Sequence, residues 1–176
     1  MKIGMCGTVC VGKTTLVNAL KETPQFKDYM FATERSQYLM SLGIPLNTDS
    51  TLKGQTVFLA ERCSELMNDN IIMDRTVIDV MAFTQNATSI DCINKESFLD
   101  YASNFIKEYD YIFYISPENI PVEDNSIRET NEVYRDLIDF TINTLLNKYS
   151  YKIKNMVRIS GTTPERIQQI LNVTGV

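Results

Sequence analysis

A chain of 176 residues, 44% of them hydrophobic, is long enough to bury a real core within one compact domain. Its net charge of −5 provides no global electrostatic footprint for nucleic acid and leaves only a local basic groove open. The four cysteines (Cys6, Cys10, Cys63 and Cys92) sit at no metal-ligand spacing and read as reduced cytoplasmic thiols, and no apolar run approaches transmembrane length.

In chain order, Ile3, Met5 and Cys6 form a short apolar run of buried-strand character. It leads directly into Gly7 to Thr14, which reads G-x-x-x-x-G-K-[ST], the P-loop pattern. With the strand starting so early, no signal peptide is expected. Leu16, Val17, Ala19 and Leu20 supply the apolar face of a helix over residues 13 to 21, which ends before Pro24. Tyr29 to Thr33 reads as a second strand, and a helical pattern through Tyr38, Leu39 and Met40 stops at Gly43 and Pro45. A polar loop from Asn47 to Leu52 precedes a helix from about Lys53 to Asn68.

Asn70 to Asp74 is an apolar strand ending in an acid. A helix from Val77 to Phe83, a polar loop from Gln85 to Asn94 and a helix from about Lys95 to Glu108 follow. Tyr111 to Ile115 is a continuous β-prone run. Ser116 to Ser126 is loop-like, and Ile127 to Tyr149 is a long helical stretch. Lys154 to Ile159 is the last strand, and a helix then opens with Thr163 as its cap and Pro164 at its first position. Strands alternate with helices and none form hairpins, which predicts an α/β fold: a parallel sheet covered on both faces, with ligands at its carboxyl edge. No repeat or linker interrupts residues 1–176, so they are expected to form one domain, with a lid segment at about 116–135.

The loop dictates its own chemistry. Glycines let it wrap closely around phosphates, successive N–H groups form an anion nest, and the following helix contributes its N-terminal amides. The nucleotide contacts are expected from Gly7, Thr8, Val9, Cys10, Val11, Gly12, Lys13, Thr14 and Thr15. Lys13 is expected on the β- and γ-phosphates of ATP, and the Thr14 hydroxyl on Mg²⁺. Asp74, at the end of its strand, is the acid expected to hold the metal, or else a helix cap. Arg75 offers a fork for a phosphate, against an ordinary surface ion pair.

The sequence contains no histidine, so a general base falls to a carboxylate, Glu34 or Asp74. Asp79 would face the acceptor or solvent, and Gln55 would read a base or lie on a helix surface. Arg128 and Arg135 suit a lid that neutralises phosphoryl charge, or a helix face paired with Glu129, Glu132 or Asp136.

With these motifs assembled, the chain resembles the small P-loop kinases of the nucleoside and nucleotide kinase group. More narrowly it resembles the nicotinamide-riboside-kinase-like branch, which includes many small phage-encoded kinases. The resemblance rests on Gly7–Thr14, Thr33-Glu34-Arg35, Ile72 to Asp79, Val122 to Arg128 and Ile159 to Arg166. It implies the P-loop NTPase fold with a five-stranded parallel sheet, and a lid after the fourth strand. It also implies adenine near Ser160 to Pro164, with Glu34, Asp74 and Arg75 facing the metal and the acceptor. The lid reads Asp124-Asn-Ser-Ile-Arg128 where a glycine before the apolar residue is the more usual pattern. The expected activity is transfer of the ATP γ-phosphate to a nucleoside, nucleotide or similar small acceptor. The alternative acceptor is hydroxymethylated pyrimidine in DNA, which would need a basic groove built from Lys53, Arg62 and Arg35. A P-loop ATPase switch is a third class; it would call for a second sensor module or an oligomerisation domain, for which no room is expected at this length. The protein is expected in the cytoplasm (the host's, if phage-encoded), without a membrane partner; a homodimer is the commonest assembly for such a chain.

Overall fold

A computed structural model describes residues 1–33, 35–117 and 132–176. Glu34 and Arg128 therefore lie outside the described residues, as does most of the segment expected to form a lid. The strands are β1 (Lys2–Cys6), β2 (Met30–Ala32), β3 (Ile71–Asp74), β4 (Tyr111–Ile115) and β5 (Met156–Ile159). They form one five-stranded sheet in the order β2-β3-β1-β4-β5, and every neighbouring pair runs parallel. The helices are α1 (Lys13–Lys21), α2 (Ser36–Ser41), α3 (Leu52–Glu65), α4 (Val77–Asn86), α5 (Cys92–Ala102), α6 (Glu132–Lys148) and α7 (Thr163–Thr174).

The two-residue period of a strand sorts the side chains between the faces of the sheet. Ile3 and Met5 of β1, Ile72 of β3, and Phe113 and Ile115 of β4 join Leu16 and Leu20 of α1 and Ile170 of α7 in one core. Cys6, Met73, Ile112 and Tyr114 point the other way and pack with Ile78 of α4, Leu99 of α5, and Ile138 and Ile142 of α6. Both faces are covered, which is why the central strands read as unbroken apolar runs. Met5 and Asp74 are register partners, so β1 and β3 deliver the P-loop and the strand-ending acid side by side.

Element boundaries depart from the sequence reading where local chemistry overrides periodicity. The polar stretch 47 to 52 contains a 3₁₀ turn at Asn47–Asp49, and α4 continues to Asn86. The helix expected from Lys95 to Glu108 begins earlier, at Cys92, because the Asp91 side chain caps it by accepting from Asn94 N. It then tightens into a 3₁₀ segment at Ser103–Glu108. The cap of α7 is Thr162, not Thr163: the Thr162 N–H and hydroxyl both donate to Glu165, and Pro164 sits within the first turn. No helix of the described residues is long and apolar enough to cross a membrane.

Candidate active site

The P-loop is pinned from beneath at several points. A Cβ on Gly7 would lie 2.7 Å from the backbone oxygen of Ile115, so only glycine fits between β1 and β4 here. The Gly7 N–H donates to Asp79 Oδ1 of α4 at 3.1 Å. It is therefore turned into the protein, and the phosphate-facing amides begin further along the loop. The buried Thr8 hydroxyl donates to the Arg135 carbonyl of α6 at 2.8 Å, and Arg166 Nη1 of α7 donates to the Val11 carbonyl at 2.9 Å. Gly12, at φ 81°, takes the left-handed turn that opens α1. The loop is thus held by α4, α6 and α7 before any nucleotide arrives.

Val9, Cys10, Val11, Gly12, Lys13 and Thr14, together with Asp74 and Arg75, line a cleft of about 220 Å³. Lys13 is buried, and its ammonium donates to the carbonyls of Gly7 at 2.7 Å and Thr8 at 2.5 Å. Burial, and then the neighbouring Arg75 charge, push its pKa down to about 8, with Asp79 and Asp74 opposing the shift. Thr15 is exposed on the first turn of α1 and does not line this cleft.

Asp74 is fully buried at the end of β3. Its Oδ2 accepts from the Thr14 hydroxyl at 2.5 Å, while Oδ1 is buried without a hydrogen-bond partner among the described residues. A hydroxyl and a carboxylate with an unused oxygen form the hard-oxygen donor set that Mg²⁺ takes through one or two protein ligands. The next residue, Arg75, has φ 95°, and its guanidinium lies 5.1 Å from the centre of the Phe83 ring.

Arg75 also lines a second cleft, of about 380 Å³, with Ser36, Leu46, Asn47, Ser50, Gln55, Phe58, Val80 and Phe83. Phe58 and Phe83 offer aromatic surface, and the polar points are unusual. Gln55 is only 3% exposed, yet its side-chain amide makes no hydrogen bond among the described residues. Ser50 is 1% exposed and its hydroxyl likewise has no partner there. An unpaired buried polar group is costly, so the Ser50 hydroxyl, lining this cleft beside the Gln55 amide, points to a polar ligand. The wall carrying Ser50 is held in place from beyond α4. Ser89 donates to the Ser50 carbonyl at 2.6 Å, and the Thr88 N–H and hydroxyl donate to the Thr48 carbonyl at 3.0 and 3.1 Å.

The structure resolves several alternatives left open by the sequence. Asp79 faces neither acceptor nor solvent: it is fully buried, accepting from Gly7 N and from the Thr76 N–H and hydroxyl at 2.8 and 2.7 Å. Gln55 lies in a cleft and not on a helix surface. Arg62 cannot form part of a DNA-binding groove. It is 3% exposed, with Nη1 on the Asp74 carbonyl at 3.0 Å and Nη2 on Glu65 at 2.6 Å. Arg35 is exposed and paired with Glu61 at 3.3 Å, and Lys53 is exposed. Arg135 is buried, donating to the Pro117 carbonyl at 3.0 Å.

Sequence reasoning missed Ser50 and the aromatic pair, for which no local signal existed. It also missed the role of Arg166, which acts across the whole length of the chain. The inward turn of Asp79 did have a signal, because Thr76-x-x-Asp79 is a capping-box pattern.

A family model described as an AAA domain matches residues 2–166. No curated protein matches the sequence. Among solved structures, the chain is similar to deoxyadenosine kinase from M. mycoides with the products dCMP and dCDP bound: TM-score 0.72, 18% identity, 99% of each chain covered. It is similar to NadR in complex with NR, with a TM-score of 0.77 and 17% identity over 99% of this chain and 51% of that one. The YorR protein of Bacillus subtilis, in complex with phosphorylated GDP, gives a TM-score of 0.64 at 15% identity, covering 98% of this chain and 95% of that one. At these identities the likeness is one of fold.

Proposed function

We propose that the chain, which belongs to the AAA domain family, is an ATP-dependent kinase transferring the γ-phosphate to a nucleoside, nucleotide or related small acceptor. The observation that carries this reading is that Arg75 lines both clefts. A phosphate loop on one side and an aromatic cleft with polar points on the other share Arg75 as a lining residue, so the two clefts adjoin, as direct transfer between two bound molecules requires. The solved structures of similar fold with nucleosides or nucleotides bound support this acceptor class.

In this reading ATP lays its phosphates along Val9 to Thr14, and Lys13 exchanges the carbonyls of Gly7 and Thr8 for the β- and γ-phosphates. Thr14 and Asp74 would hold Mg²⁺, which when bound neutralises charge on the phosphate oxygens. The acceptor's polar edge satisfies Gln55 and Ser50, with its ring against Phe58 and Phe83. Arg75 then stabilises charge on the transferring group. Glu34 as the base that takes the acceptor's proton, and Arg128 as the lid arginine, enter this reading from the sequence alone.

The test is an ADP-release screen offering nucleosides, nucleoside monophosphates, nicotinamide riboside, and DNA with and without hydroxymethylated bases. Release that depends on a small acceptor supports the reading. Release that depends only on DNA, or that ignores every acceptor, refutes it.

A further inference from the structure

The peptide that joins Asp74 to Arg75 is gripped at both of its polar ends. Its N–H donates to the Met5 carbonyl of β1 at 3.1 Å, and its C=O accepts from Arg62 Nη1 of α3 at 3.0 Å. Fixing both ends fixes the plane of the peptide, and with it the backbone on either side. On one side stands the Asp74 carboxylate bonded to Thr14; on the other, Arg75 takes φ 95°. A residue with a side chain is strained in such a conformation and keeps it only where its surroundings over-determine it.

Arg62 is itself placed with care. It is 3% exposed, and Glu65, one turn along the same helix, accepts from its Nη2 at 2.6 Å, with burial raising the Glu65 pKa to about 7 against the pull of Arg62. The bond to the Asp74 carbonyl comes from the other terminal nitrogen and is additional to that contact. Arg62 also follows Gln55 by seven residues, which puts the two on the same face of α3.

We propose that Arg62 is a positioning residue: by locking the Asp74–Arg75 peptide, it aims the carboxylate at Thr14 and sets Arg75 between the two clefts it lines. The catalytic consequence rests on the kinase reading; the lock itself does not.

Arg62→Met alone would leave the half-buried Glu65 without its partner, so the test pairs Arg62→Met/Glu65→Leu with Arg62→Lys. For each variant the measurements are the thermal melt, amide exchange of the Arg75 N–H in the ligand-free protein, and kcat and KM. The double variant is expected to melt cooperatively while its Arg75 amide exchanges at least about tenfold faster and those of Ile72 and Met73 hold their rates. Its kcat falls about 10- to 100-fold with KM for ATP within about threefold, and Arg62→Lys recovers part of the loss. A folded double variant with wild-type exchange at Arg75, or with wild-type kcat, overturns the proposal. So does failure of both variants to fold, which would make Arg62 a general structural residue. If the wild-type protein phosphorylates no acceptor, the kinase reading fails by itself and exchange at Arg75 alone decides the lock.

Discussion

Asp79→Ala tests whether the P-loop is built from beneath. The Asp79 carboxylate accepts from Gly7 N, Thr76 N and the Thr76 hydroxyl, and the residue is fully buried. Alanine strands these donors out of reach of water, at about 1–3 kcal/mol for each buried group left unpaired. It also removes the reciprocal cap of α4. Relaxation and partial entry of water offset some of this, so the expected loss is about 4 kcal/mol, a large share of the 5–15 kcal/mol typical of a folded domain. Asp79→Asn keeps the shape, but in either orientation its NH₂ faces a backbone N–H, of Gly7 or of Thr76. The Thr76 hydroxyl can turn to accept and the backbone N–H cannot, so the amide should cost about 2 kcal/mol. Urea unfolding near neutral pH measures both variants, and ATP affinity measured alongside should fall with stability, because Gly7 begins the phosphate loop. Losses below about 1 kcal/mol in both variants would refute this account of Asp79.

Asp74→Asn should retain most ATP binding and lose most Mg²⁺-dependent turnover, since the shape survives and the charge does not; an unchanged Mg²⁺ dependence would return Asp74 to a structural role. Gln55→Ala and Ser50→Ala should each raise KM for the acceptor by about tenfold, near 1.4 kcal/mol, and leave KM for ATP alone; equal effects on both substrates would remove these residues from the acceptor cleft. In the ligand-free protein Lys13 titrates at about 8, lowered first by burial and then by Arg75. ATP favours the ammonium form, so Mg²⁺-free ATP affinity should be unaffected by this group below that pH and fall as pH rises above it. Calorimetry across this range showing constant affinity would contradict the assignment.

Features encoded locally were legible in the sequence. The P-loop, the alternation of strands and helices and the strand-ending Asp74 each depend on neighbouring residues. The order β2-β3-β1-β4-β5 is not local, since nothing in Met30 to Ala32 says that it will pair with β3. Arg62 shows the same limit from the other side. An arginine in a helix reads as solvated, although Gln55, Leu59, Arg62 and Leu66 fall at helical spacing on one buried face. Ser50 is beyond sequence reasoning because its importance comes from burial against a cleft assembled from α3, α4 and the turn at Asn47–Asp49. Arg166 reaches the Val11 carbonyl only because α7 returns to pack beside α1.

The central claim is that phosphate passes directly from ATP to a molecule held in the Gln55 cleft. Following the label of γ-³²P-ATP tests it most directly, with the best acceptor from the screen and with Lys13→Ala as the control. The account predicts label in the phosphorylated acceptor, one for each ADP formed, and none above background with folded Lys13→Ala. Label appearing as inorganic phosphate at the same rate with and without acceptor, or full transfer by Lys13→Ala, would contradict it.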